Sequence, residues 1–137
     1  MNELDFWVGD WHAAWEGGAG RNSVTRELGG RVYVERFEAH GDEPFSGMSL
    51  SVRHAGTGQW RQTWADSEGS YWSFVGSVLA DGSFVFATPD RVDEEQAFKR
   101  MVFSDVTQDA FHWRWERSQD GETWEQRWAI DYTRRPR

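Results

Sequence analysis

Between Phe111 and Tyr132 large apolar residues fall on alternate positions, and this spacing restricts the fold more than anything else in the chain. Phe111, Trp113 and Trp115 alternate with His112, Arg114 and Glu116, and further on Trp124, Trp128, Ile130 and Tyr132 alternate with Glu125, Arg127, Asp131 and Thr133. A period of two belongs to a half-buried strand, whereas an amphipathic helix repeats its apolar positions every 3.6 residues. Asp120-Gly121 between the two runs supplies the positive backbone angles that a two-residue hairpin turn prefers. The stretch therefore predicts two antiparallel strands with an aromatic inner face.

The same pattern recurs upstream. Trp11, Ala13 and Trp15 alternate with His12, Ala14 and Glu16, and Gly17 to Gly20 ends that run. Strands are expected over Asn22–Leu28, Arg31–Ala39, Phe45–Arg53, Gln59–Ala65, Ser70–Val78, Ser83–Thr88 and Ala97–Asp105. Gly29-Gly30, Ala55 to Gly58, Asp66 to Gly69 and Asp81-Gly82 provide turns between them. Gly47 marks a bend or bulge in the fourth strand. No stretch carries a helical period of useful length. Leu4, Phe6 and Trp7 form a short apolar segment that reads as a helical plug. About ten short strands joined mostly by tight turns predict an all-β antiparallel meander, and closing it into a barrel removes edges that would otherwise invite aggregation.

Composition bounds the function. The 137 residues make one domain, residues 1–137, long enough to bury a core. There is no cysteine, so disulfides and thiolate metal sites are excluded and a reducing compartment suits the chain. The start lacks the basic-then-apolar pattern of a signal peptide and no run reaches membrane-span length, so cytoplasm is the expected location. A net charge of −8, with basic residues clustered only at Arg134, Arg135 and Arg137, argues against nucleic acid, which needs a basic face. The ten tryptophans suit either a polar-spotted core or a ligand cavity, because each indole buries a large area yet carries an N–H that needs a partner.

Polar groups on the aromatic faces are the candidates for chemistry. Gln62 lies between Trp60 and Trp64, Gln126 between Trp124 and Trp128, Glu35 between Tyr33 and Phe37, and Arg100 between Phe98 and Val102. An unpaired polar group in an apolar interior costs a few kcal/mol, so each needs another residue, trapped water or a ligand. An internal network, including an Arg100–Glu35 ion pair, and a ligand site both satisfy that requirement. Serine hydrolase chemistry is a poor fit, because the Gly-x-Ser-x-Gly elbow and the helix it feeds are both missing. The four histidines show no metal-ligand spacing, so no metal site is expected.

The chain resembles a large bacterial family of uncharacterised, calycin-like (lipocalin- or nitrobindin-like) small barrels. The resemblance spans nearly the whole length. It rests on Asp5-Phe-Trp-Val-Gly-Asp-Trp11, Leu28-Gly-Gly30 before Glu35, Gly47-x-Ser49, Thr57-Gly-x-Trp-x-Gln-x-Trp-x-Asp66, Arg100-Met101, Ser118-x-Asp-Gly-x-Thr-Trp124 and Tyr132-x-Arg134. The chain departs from the family at Phe103, commonly tryptophan, and lacks an extra glycine in the turn after Asp120. The resemblance implies a calycin-like barrel and brings no established activity. Nitrobindin-like barrels hold haem iron through a histidine near the C-terminal strands. Here His12 and His112 alternate with inward aromatics and His40 and His54 fall in loops, so no haem or other cofactor is expected.

The expectation is thus a barrel that binds a small, partly aromatic or apolar molecule. Arg100 and Gln62 would fix its polar end, with Trp64, Trp113, Trp115, Gln126, Trp128 and Tyr132 around it. An enzyme of isomerase or cyclase type with Glu35 as acid or base, and a structural or interaction protein with a filled core, are the alternatives. The expected partner is a small molecule, with no nucleic acid and no membrane; the oligomeric state is left open.

Overall fold

The computed structural model describes residues 3–136. Ten strands follow one another: β1 Gly9–Trp15, β2 Gly18–Glu27, β3 Val32–His40, β4 Phe45–Arg53, β5 Trp60–Asp66, β6 Tyr71–Val78, β7 Phe84–Ala87, β8 Phe98–Ser104, β9 Ala110–Ser118 and β10 Glu125–Arg134. Each pairs antiparallel with the next, and β1 pairs with β10 through Ala13 opposite Tyr132, so the meander closes into a barrel. Its interior follows the two-residue period: Trp11 and Ala13, Asn22 and Val24, Tyr33 and Phe37, Trp60 and Gln62, and Phe84 and Phe86 are all buried.

Before β1, where a short helical plug is expected, there is a single turn of 3-10 helix, Asp5–Trp7. Leu4 and Trp7 are fully buried in the core. Trp7 meets Phe103 edge-on at 5.6 Å and Phe6 meets Phe111 at 5.5 Å. Trp60 donates its indole N–H to Glu3, and the Arg134 guanidinium donates to the carbonyls of Phe6 and Val8 while lying over the Trp11 ring. These contacts belong to one end of the barrel, where β1, β5 and β9 begin and β10 finishes, so that end is covered.

Three local expectations are corrected. The connection between β9 and β10 runs over residues 119–124 and is not a two-residue hairpin. The Asp120 carboxylate organises it by accepting the N–H groups of Thr123 and Glu122 and the Ser118 hydroxyl, and the same bonds hold its carboxyl well below the usual carboxylate range. A bulge then follows: Gln126 lies opposite Glu116 and Trp128 opposite Trp115, with Arg127 as the extra residue. The bulge resets the alternation, so Trp128 faces inward, while Trp124 sits outside beneath the Arg100 guanidinium at 4.0 Å. Finally, β2 begins at Gly18, because the left-handed backbone of Gly17 turns the chain at once and Ala19 and Gly20 join the ladder.

Gly47 lies in regular register opposite both Phe37 and Asp66, so it makes no bulge. A Cβ there would lie 2.2 Å from the Trp64 ring, so the glycine makes room for that indole.

Candidate functional site

At the uncovered end the interior does not fill. An aromatic-walled cavity of about 220 Å³ lies there, with Phe37, Phe45, Trp64, Trp72, Trp113, Trp115 and Trp128 around it. Glu35, Phe74, Met101, Ile130 and Tyr132 line it toward the middle of the barrel, and Asp66, Glu68 and Ser70 line it at the β5–β6 turn. The walls brace one another. Trp113 and Trp128 pack edge to face at 5.5 Å, Trp72 and Trp115 at 5.8 Å, and Phe45 stacks on Trp64 at 6.4 Å. Such mutual packing holds the rings in place without a ligand.

Glu35 is the buried ionisable group of the cavity. Alternation along β3 puts it on the inner face with Tyr33 and Phe37, where it lies opposite Val24 of β2 and Ser49 of β4. Its carboxyl accepts the Ser49 hydroxyl at 2.7 Å and the Asn22 side-chain amide at 2.9 Å. Burial pushes that carboxyl above the usual glutamate range, and the two hydrogen bonds pull it only part of the way back. The Tyr132 hydroxyl is held well above the phenol range, first by burial and then by the Glu35 charge, so it is a neutral donor.

Two polar groups here lack hydrogen-bond partners among the described residues. The Tyr132 side chain is 4% exposed, and its hydroxyl forms no hydrogen bond among the described residues. The side-chain oxygen of Asn22 is buried with no partner among the described residues. The indole N–H of Trp64 donates to Asp66 at 2.9 Å, whereas those of Trp72, Trp113, Trp115 and Trp128 have no partner among the described residues.

The expected site residues separate. Glu35, Trp64, Trp113, Trp115, Trp128 and Tyr132 all line the cavity. Gln62 is inside the barrel but off the cavity wall, donating to Ser51 at 2.9 Å. Arg100 and Gln126 are corrected: both lie on the outer face. Met101 and Phe103 take the inner face of β8, packing into the aromatic core, which turns Arg100 outward to pair with Glu116 at 2.8 Å. Gln126 is exposed beside that pair because the bulge comes after it. Phe37, Phe45, Asp66, Glu68, Ser70, Trp72, Phe74, Met101 and Ile130 were not singled out from the sequence. Simple alternation from Glu35 and Trp64 reaches Phe37 and Asp66, but only closure brings β4, β6 and β8 to the same space.

The chain matches no family model, and no curated protein is significantly similar to it. The site must be read from its own residues.

A nitrobindin-like haem site needs a histidine on the cavity wall. The wall positions of β9 and β10 are Trp113, Trp115, Trp128, Ile130 and Tyr132, while His112 pairs with Asp131 on the outer face and His12, His40 and His54 are exposed. These residues do not fit that ligation. Among the described residues no three His, Cys, Asp or Glu side chains are grouped to hold a metal ion, and no helix is long and apolar enough to cross a membrane.

Proposed function

We propose that this protein is a calycin-like, cytoplasmic barrel that binds a small, partly aromatic molecule in the cavity at its uncovered end. The observation that carries the reading is the open, aromatic-walled volume bordered by the Tyr132 hydroxyl, which bonds to none of the described residues. Ligand sites combine apolar walls with a few convergent polar groups. A filled-core structural protein would have closed this volume, because interiors pack to crystal-like density. At about 220 Å³ the cavity exceeds the ~150 Å³ void that accepts benzene and so suits a substituted single ring.

Five of the ten tryptophans, Trp64, Trp72, Trp113, Trp115 and Trp128, surround the space, so intrinsic fluorescence reports occupancy directly. Titration with a panel of single-ring compounds should give saturable fluorescence changes for some of them, together with raised thermal stability in proportion to ligand excess. Uniformly linear responses across the panel, with no shift in melting, would overturn the reading.

The raised carboxyl of Glu35 on the cavity wall favours a second reading, an isomerase or cyclase with Glu35 as the general acid or base. Turnover of a bound compound that disappears in Glu35→Gln while binding persists would select it.

A further inference from the structure

We propose that the cavity selects an organic cation, a single-ring compound bearing a quaternary or protonated ammonium group, held between the aromatic faces and the carboxylates of Glu35, Asp66 and Glu68. This rests on the binding reading above and names the ligand class it implies.

The first ground is the sign of the lining. The charged residues that border the cavity are Glu35, Asp66 and Glu68, and no lysine, arginine or histidine borders it among the described residues. Basic groups of β8, β9 and β10 pair elsewhere. Lys99 pairs with Asp93 and Glu95, while Arg117 and Arg127 also reach Glu95. Arg100 and Arg114 share Glu116 on the outer face. A chain of net charge −8 adds a long-range field of the same sign.

The second ground is the wall material. The faces of tryptophan, tyrosine and phenylalanine carry negative charge density, and a cage of such rings is the recurrent receptor for quaternary ammonium groups, strongest when water is excluded. Trp64, Trp72, Trp113, Trp115 and Trp128 surround the space, and among the described residues no cation is stacked on any of these five rings. The third ground is a buried carboxyl that lacks a counter-charge. Among the described residues Glu35 is bonded only to the neutral groups of Ser49 and Asn22, and the Tyr132 hydroxyl, which bonds to none of them, shares its cavity. A cation in the cavity would supply the missing charge.

Protonation follows from charge balance. The groups around Glu35 are Asn22 from β2, Ser49 from β4 and Tyr132 from β10, all neutral, with Asp66 and Glu68 of like sign farther along the wall. A fixed cation favours the carboxylate, so Glu35 releases its proton to solvent as the ligand enters, and affinity rises with pH through the Glu35 titration.

Three near-isosteric probes test the idea on the full chain: phenyltrimethylammonium, tert-butylbenzene and benzenesulfonate, titrated by tryptophan fluorescence and calorimetry. The cation should bind roughly tenfold or more tightly than the neutral probe, and the anion most weakly. Its binding heat should vary with buffer ionisation enthalpy in the sense of proton release. Glu35→Gln should narrow the gap between cation and neutral probe and abolish the proton release. Glu68→Gln, in an exposed turn where folding is not at stake, should narrow the gap as well. Equal or tighter binding of tert-butylbenzene or benzenesulfonate would overturn the cation inference and leave the cavity reading intact. Failure of all three to bind would overturn both.

Discussion

At the scale of single residues, the most informative group is Glu35. Its carboxyl is raised by burial relative to the unfolded chain, so between the ordinary glutamate value and the raised one the folded state holds a proton that the unfolded state has lost. The stability from this group is therefore full below the ordinary value and is lost as pH rises through the raised one. Urea midpoints of the native chain and of Glu35→Gln, compared from about pH 4 to about pH 8, should diverge progressively in favour of the variant; parallel curves would show that Glu35 titrates normally. Asn22 can serve either form. Its amide now donates to the carboxylate and leaves its own oxygen unpartnered, and turned over it would accept from a protonated Glu35 or from glutamine. Tyr132 offers a complementary test. It stacks on Phe111 at 4.6 Å through its ring, while its hydroxyl bonds to none of the described residues. Tyr132→Phe should thus change stability by no more than about 0.5 kcal/mol yet weaken binding of a ligand that uses the hydroxyl. A large loss of stability would reveal a structural partner.

At the scale of strands, the glycines set how closely neighbours approach. A Cβ at Gly20 in β2 would lie 2.2 Å from the backbone carbonyl of Glu38 in β3, and one at Gly47 in β4 would lie equally close to the Trp64 ring. The first neighbour is main chain in a hydrogen-bonded ladder, and the second is a side chain beside open space. Gly20→Ala should therefore cost the upper part of the roughly 1–3 kcal/mol range for overpacking, and Gly47→Ala the lower part. The second substitution should also disturb the cavity by driving Trp64 into it. Chemical denaturation of both variants, with Trp fluorescence to follow the indole, decides the order. Arg127 shows why strand alternation alone misplaced residues. One extra residue in β10 leaves Trp128 on the expected inner face but sends Gln126 to the outer one, and no local signal in the sequence distinguishes that bulge from an unbroken strand. Arg100 is the same lesson in β8, where Phe98 and Val102 on one face compete with Met101 and Phe103 on the other. The larger internal surface offered by Phe86 and Phe111 decides it.

At the scale of the whole molecule, nine of the ten strand pairings join neighbours in the chain, and β1 with β10 joins its two ends. Closing a long loop is entropically costly, so that last pairing should form after the folding barrier while the hairpins form before or during it. Ala13→Gly removes a buried methyl at the seam opposite Tyr132 and should destabilise by about 1 kcal/mol. The loss should fall on the unfolding rate, giving a φ-value near zero in a chevron analysis. A φ-value near one would mean that the barrel closes first and zips inward.

The period-two aromatics, the glycine-rich turns and the absence of any helical period were enough to determine strand number, antiparallel order and an aromatic interior, because alternation and turn chemistry act between residues close in the chain. Glu35, Trp64, Trp113 and Tyr132 could be assigned inner faces on the same local grounds. Which of those inner positions meet, and that the space among them stays open, was decided by tertiary structure alone. Closure brings β3, β5, β6, β9 and β10 around one volume, the N-terminal turn covers the opposite end, and the bulge at Arg127 and the packing of Met101 and Phe103 send Gln126 and Arg100 outside. These outcomes depend on competition among side chains far apart in sequence for a fixed interior volume. That competition leaves the cavity lined by acids and aromatic rings, with the arginine outside.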